Sequence, residues 1–147
     1  AAALANRLAR LRLPMPEGAA ASDLEKAISG SSYRLSANER NWTSLTIAFA
    51  ETEAVLTLSN DERQDRLSFG RSAWAEGESG LLGQARSPVA ASFVWDRSDR
   101  LRLTARFIET PFCLSVTLDF DADTVTLEHR LNVGFGAQEA VRIQGRR

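Results

Sequence analysis

The chain has 147 residues, 44% hydrophobic and 25% charged, with a formal net charge of −1. That is enough chain for one domain with a substantial core, and so balanced a charge leaves no electrostatic footprint for nucleic acid or an anionic membrane. No apolar run approaches the ~20 residues that span a bilayer, so neither nucleic acid nor a membrane is expected as a partner.

In chain order, "ALANRLARLRLP" places Leu4, Leu8 and Leu11 at helical spacing with Arg7, Arg10 and Arg12 between them. This predicts a short amphipathic helix stopped by Pro14. It is too short to be stable alone, so its leucine face needs a surface to lie on. "PMPEGAAAS" reads as a linker. In "SDLEKAIS", Ser22 and Glu25 have the spacing of a capping box, and Gly30 suits the stop that follows. Residues 1–30 are therefore read as a helix-and-linker segment and residues 31–147 as a separate domain.

From Ser31 the period changes from 3.6 to 2. "SYRLS", "SLTIAFA", "AVLTLS", "RLSFG", "SAWAE", "AASFVWD", "RLRLTARFIE", "FCLSVTLDF", "TVTLEHRL" and "AVRIQ" read as strands, most of them separated by Asn, Asp, Glu, Gly or Pro clusters. The longest gap, "EGESGLLGQARSP", is a loop of about a dozen residues, long enough to serve as a lid or an entrance. Many strands with short connections and no helical crossovers predict an all-β, antiparallel up-and-down meander. Closure into a barrel removes its edges.

The segment 100–131 carries enough pattern to set a register. A two-residue turn at Thr110 and Pro111 pairs Phe107 with Leu114, Ala105 with Val116 and Leu103 with Leu118. A turn at "DADT" pairs Leu118 with Leu127 and Val116 with His129. One face then collects the apolar residues and His129, while the other collects Arg102, Arg106, Asp119, Glu128 and Arg130. A one-residue slip would bury all of those charges. Arg102 opposite Asp119 is the expected cross-strand pair. His129, the only histidine, should point inward beside Ala105 and Val116, either as a hydrogen-bonded core residue or in contact with a ligand. Trp74 and Trp95 flank the long gap, where tryptophans at a barrel end close the core or line a mouth. The candidate ligand-binding set is thus His129, Trp74, Trp95, Ala105 and Val116.

Catalytic signatures are missing from the sequence. Cys113 is the sole cysteine, so no internal disulfide or thiolate metal site can form, and it reads as a small, partly buried hydrophobe. Lys26 is the sole lysine, with Asp23 three residues before it, so a serine-x-x-lysine nucleophile cannot be built. No catalytic residue, metal or cofactor is expected. The arginine-rich, lysine-poor composition suits a GC-rich bacterium. Neither an initiator methionine nor a charged-then-apolar leader opens the chain, so it reads as a piece cut from something longer; the compartment is left open, with the cytoplasm favoured.

"ISGSSYRLSANERNWTSLTIAF", "LSFGRSAWAEGE" and "VAASFVWDRSDRLRLTARFIETPFCLSVTLDFDADTVTLEHRLNVGFG" together resemble the C-terminal domain appended to bacterial serine hydrolases of the β-lactamase and penicillin-binding-protein-like superfamily. The likeness covers roughly residues 28–136, with "ETPF" and "NVGFG" its most distinctive parts. It implies a lipocalin-like fold, a junction at "LARLRLPMPEG" and a preceding catalytic domain in the same polypeptide. The family's serine, lysine and tyrosine belong to that preceding domain, and no position here receives them. The implied function is a non-catalytic accessory domain that packs on or modulates the catalytic unit. The competing reading is a lipocalin-like barrel binding a small apolar ligand. A self-sufficient enzyme would need a partner for His129, and Glu109 at a hairpin tip lies several pairs away.

Overall fold

Alternation of apolar and polar residues becomes strand along almost the whole domain. The computed structural model describes residues 2–81, 85–133 and 140–147. Residues 134–136 of "NVGFG" and 82–84 of the long gap lie outside them. Two short helices, α1 (Ala2–Ala9) and α2 (Glu25–Ile28), precede strands β1 (Ser32–Leu35), β2 (Ser44–Phe49), β3 (Glu53–Ser59), β4 (Gln64–Arg71), β5 (Ala75–Ser79), β6 (Ser87–Arg97), β7 (Arg100–Phe107), β8 (Cys113–Asp121), β9 (Thr124–Leu131) and β10 (Val141–Arg146). No helix among the described residues is long and apolar enough to cross a membrane.

The sheet runs β4-β3-β2-β1-β10-β9-β8-β7-β6-β5, and β4 also pairs with β6. Nine strands therefore close a lipocalin-like barrel, with β5 paired to β6 alongside the ring. Every neighbouring pair round the ring is antiparallel except β4 and β6, which meet in parallel at Gly70 with Ser92 and Arg71 with Phe93. An odd number of alternating strands cannot close otherwise: one seam must join two strands of the same direction. The first and last strands, β1 and β10, lie side by side, so the domain's two chain ends complete the wall.

The predicted faces hold. Residues of the inner rows, including Leu103, Leu118, Leu127 and Phe93, are fully buried in one continuous cluster. At ~25 cal/mol per Å² of apolar surface removed from water, such burial is the main stabilising term. The β8–β9 register is as expected, with Val116 opposite His129 and Leu118 opposite Leu127. The β7–β8 register differs by two residues: Leu103 faces Val116 and Ala105 faces Leu114. The connection is a four-residue loop, 108–111, closed by the Phe107 N–H donating to the Phe112 carbonyl, and not the two-residue turn expected. Asp119 consequently meets Arg100, which clasps it through Nε at 2.6 Å and Nη2 at 2.9 Å. Arg102 turns instead to Asp96.

The long gap is also shorter than expected. β5 runs on through "EGES", pairing Glu76 with Ala90 and Ser79 with Ser87. At the N-terminal side, the linker is a strap laid across β6 and β7. The Leu13 carbonyl accepts from Trp74 Nε1 and the Glu17 carbonyl from Arg102 Nη2. Ala19 and Trp95 exchange both backbone hydrogen bonds. Gly18 crosses β6 so closely that a Cβ there would stand 2.7 Å from Val94 Cβ. The strap covers Val94 on the outer face of β6, where Ala90 and Ser92 are buried as well.

Candidate functional site

The five residues singled out in the sequence lie at three separate places. His129 and Val116 are cross-strand neighbours on the inner wall, with Leu103 and Val141 completing the row. Ala105 also points inward, but opposite Leu114 and Ala91. Trp95 is buried at the other end of the barrel. Trp74 lies outside the wall, with the Arg106 guanidinium 5.7 Å from its ring centroid.

His129 is 7% exposed. Its ring meets Trp42 edge-on at a centroid distance of 5.7 Å, a contact the sequence did not disclose because 87 positions separate the two residues. Neither His129 Nε2 nor Trp42 Nε1 has a hydrogen-bond partner among the described residues. Burial pushes the imidazole below its ordinary pKa, and the charge of Arg40 pushes it the same way. The result is a neutral ring. Trp42 is delivered by the β1–β2 loop, which Asn38 staples: its side-chain amide donates to the Ser36 and Trp42 carbonyls, and its Oδ1 accepts from the Trp42 N–H.

The opposite end is closed by an aromatic plug. Trp95 stacks on Phe49 at 5.8 Å and tilts against Phe120 at 6.2 Å, and Phe120 meets Tyr33 at 6.1 Å. Glu25 sits over this plug. The expected capping box is only partly made, because Ser22 Oγ accepts from the Leu24 N–H and donates to the Ser98 carbonyl. The Glu25 carboxylate instead takes a bidentate pair from Arg71 at 2.9 and 2.8 Å and the Trp95 indole N–H at 2.8 Å. Burial raises its pKa, but the hydrogen bonds from Arg71 and Trp95, the Arg71 charge and the Ser22 backbone outweigh that and hold it below the ordinary carboxylate value. The plug therefore carries a partly buried ion pair, and the Arg71 guanidinium also donates to the Ala20 and Ala50 carbonyls.

Chemically, these arrangements seal and brace. The buried imidazole has no acid or nucleophile beside it among the described residues, and no three His, Cys, Asp or Glu side chains there converge as metal ligands. What stands out on the exterior is α1. None of its residues is buried; its Leu4 and Leu8 are 62% and 58% exposed, and Leu11, two residues past its end, is 67% exposed. No protein-family model matches this chain, and no curated protein matches it.

Proposed function

We propose that this chain is a non-catalytic accessory domain of a β-lactamase-like serine hydrolase, and that it packs on the catalytic unit through α1. The observation that carries this reading is the leucine face of α1. An eight-residue helix is marginal in water on its own, and two exposed leucines one turn apart on it, with Leu11 exposed just beyond its end, form the kind of surface that marks a docking site. The strap from Leu13 to Ala20 ties the root of this helix to the barrel, so docking there also positions the barrel. The motif likeness at "ETPF", and the lack of a serine-x-x-lysine pair in the sequence, support the assignment of chemistry to a neighbouring unit.

Two measurements test it. The isolated chain should show no turnover of a chromogenic cephalosporin or a p-nitrophenyl ester; turnover would overturn the non-catalytic half. Binding to the catalytic unit, read by calorimetry, should weaken at least ~10-fold in a Leu4→Ser/Leu8→Ser/Leu11→Ser variant, since each buried leucine contributes ~1.5–3 kcal/mol. Unchanged affinity would overturn the docking half.

A further inference from the structure

The barrel wall far from the strap carries a groove of about 1240 Å³ across the outer faces of β2, β1, β10 and β9. The strap lies on β6 and β7, and β10 is four strands from β6 round the ring. At the centre of the groove Arg34 on β1 stands directly opposite Arg146 on β10. Like charges placed so destabilise a sheet. Most arginines elsewhere on the barrel are matched: Arg63 with Asp65, Arg71 with Glu25, Arg100 with Asp119, Arg102 with Asp96 and Arg142 with Glu128. Among the described residues neither Arg34 nor Arg146 has an ion pair, and no carboxylate lines the groove. The acids at its border are already paired, Asp123 with Arg147, which also lines the groove, and Glu128 with Arg142. Around the two guanidiniums stand the hydroxyl-bearing side chains of Ser32, Ser36, Ser44 and Thr124, with the amide of Gln144. Gly145, where a Cβ would stand 2.9 Å from Leu35 Cδ2, lets the core pack directly against the β10 backbone behind the groove.

The geometry points to a binding site for a small polyanion, a ligand with adjacent phosphate or carboxylate groups that both guanidiniums grip while the hydroxyls donate to its remaining oxygens. Guanidinium forks match such oxygens bidentately, and the ligand relieves the repulsion between Arg34 and Arg146.

The test is calorimetric titration of the full chain with inorganic pyrophosphate and, separately, with citrate at low ionic strength. Saturable binding is expected, weakened at least ~10-fold in Arg34→Ala/Arg146→Ala and unchanged in Arg130→Ala, an outward arginine of β9. Thermal unfolding of the free double variant, expected no lower than that of the wild type, confirms that the barrel is intact. Binding of pyrophosphate alone assigns the site to phosphate esters, and of citrate alone to polycarboxylates; both support it. Absence of saturable binding of either anion at ~10 mM would overturn the inference. So would a double variant that binds as well as the wild type, or an equal loss in Arg130→Ala, which would mean diffuse charge and no site.

Discussion

His129 shows how a titratable side chain is made structural by its surroundings. It lies between Val116 and Val141 and against the edge of Trp42, where burial first and the Arg40 charge second depress its pKa. The unfolded chain therefore binds a proton more readily than the folded one. Stability is complete above the unfolded value of ~6.5 and declines as pH falls towards the folded value, at up to ~1.4 kcal/mol per pH unit. A His129→Leu variant should be within ~1 kcal/mol of wild type at pH 7.5 and should show a shallower fall in melting temperature between pH 6.5 and 5. Equal slopes for the two proteins would place the acid sensitivity elsewhere.

At the scale of elements, α2 acts as a latch. Its Glu25 joins Arg71 at the end of β4 to Trp95 near the end of β6, beside the parallel seam where the ring closes. Glu25→Ala leaves a largely buried guanidinium without its partner. It should cost about 2–3 kcal/mol by chemical denaturation, a contribution lost in the wild type as acid protonates the carboxyl through its depressed folded pKa. In the middle of the wall, Leu118→Asp places a carboxylate in a fully buried position. It should unfold the domain, a loss of more than ~4 kcal/mol, seen as the disappearance of a cooperative melt.

These elements also mark what the sequence discloses. Which face of each strand turns inward is legible, because a one-residue slip would bury Arg102, Asp119 and Glu128 together. A two-residue slip preserves every face, so the pattern alone cannot distinguish Leu103 opposite Val116 from Ala105 opposite Val116; only the loop decides, and "IETP" forms four residues of turn where two were expected. The long-range meetings of Glu25 with Trp95, or His129 with Trp42, leave no local signature. Glu25 three residues after Ser22 reads as a cap for its own helix, yet its strongest partners come from two distant strands. Trp74 and Trp95 read as neighbours across a gap, but β5 takes up part of that gap and they come to lie outside and inside the wall.

For the whole molecule, the elements that stabilise the barrel and the helix proposed to dock are separate along the chain. Removing residues 1–12 deletes α1, which buries nothing, and should leave the melting temperature within ~2 °C. Extending the deletion to residue 21 removes the strap over β6 and its bonds to Trp74, Arg102, Trp95 and Arg71. That should destabilise the barrel by roughly 2–4 kcal/mol, since each net hydrogen bond contributes ~0.5–1.5 kcal/mol. On the proposed reading the barrel serves as the base and α1 as its contact surface. The most direct test is amide hydrogen exchange across residues 2–13, in the chain alone and with the catalytic unit of the proposed parent hydrolase joined ahead of it. Rapid exchange in the isolated chain and at least ~10-fold slowing in the joined protein are predicted. Equal exchange in both would contradict the assignment of α1 as the docking element.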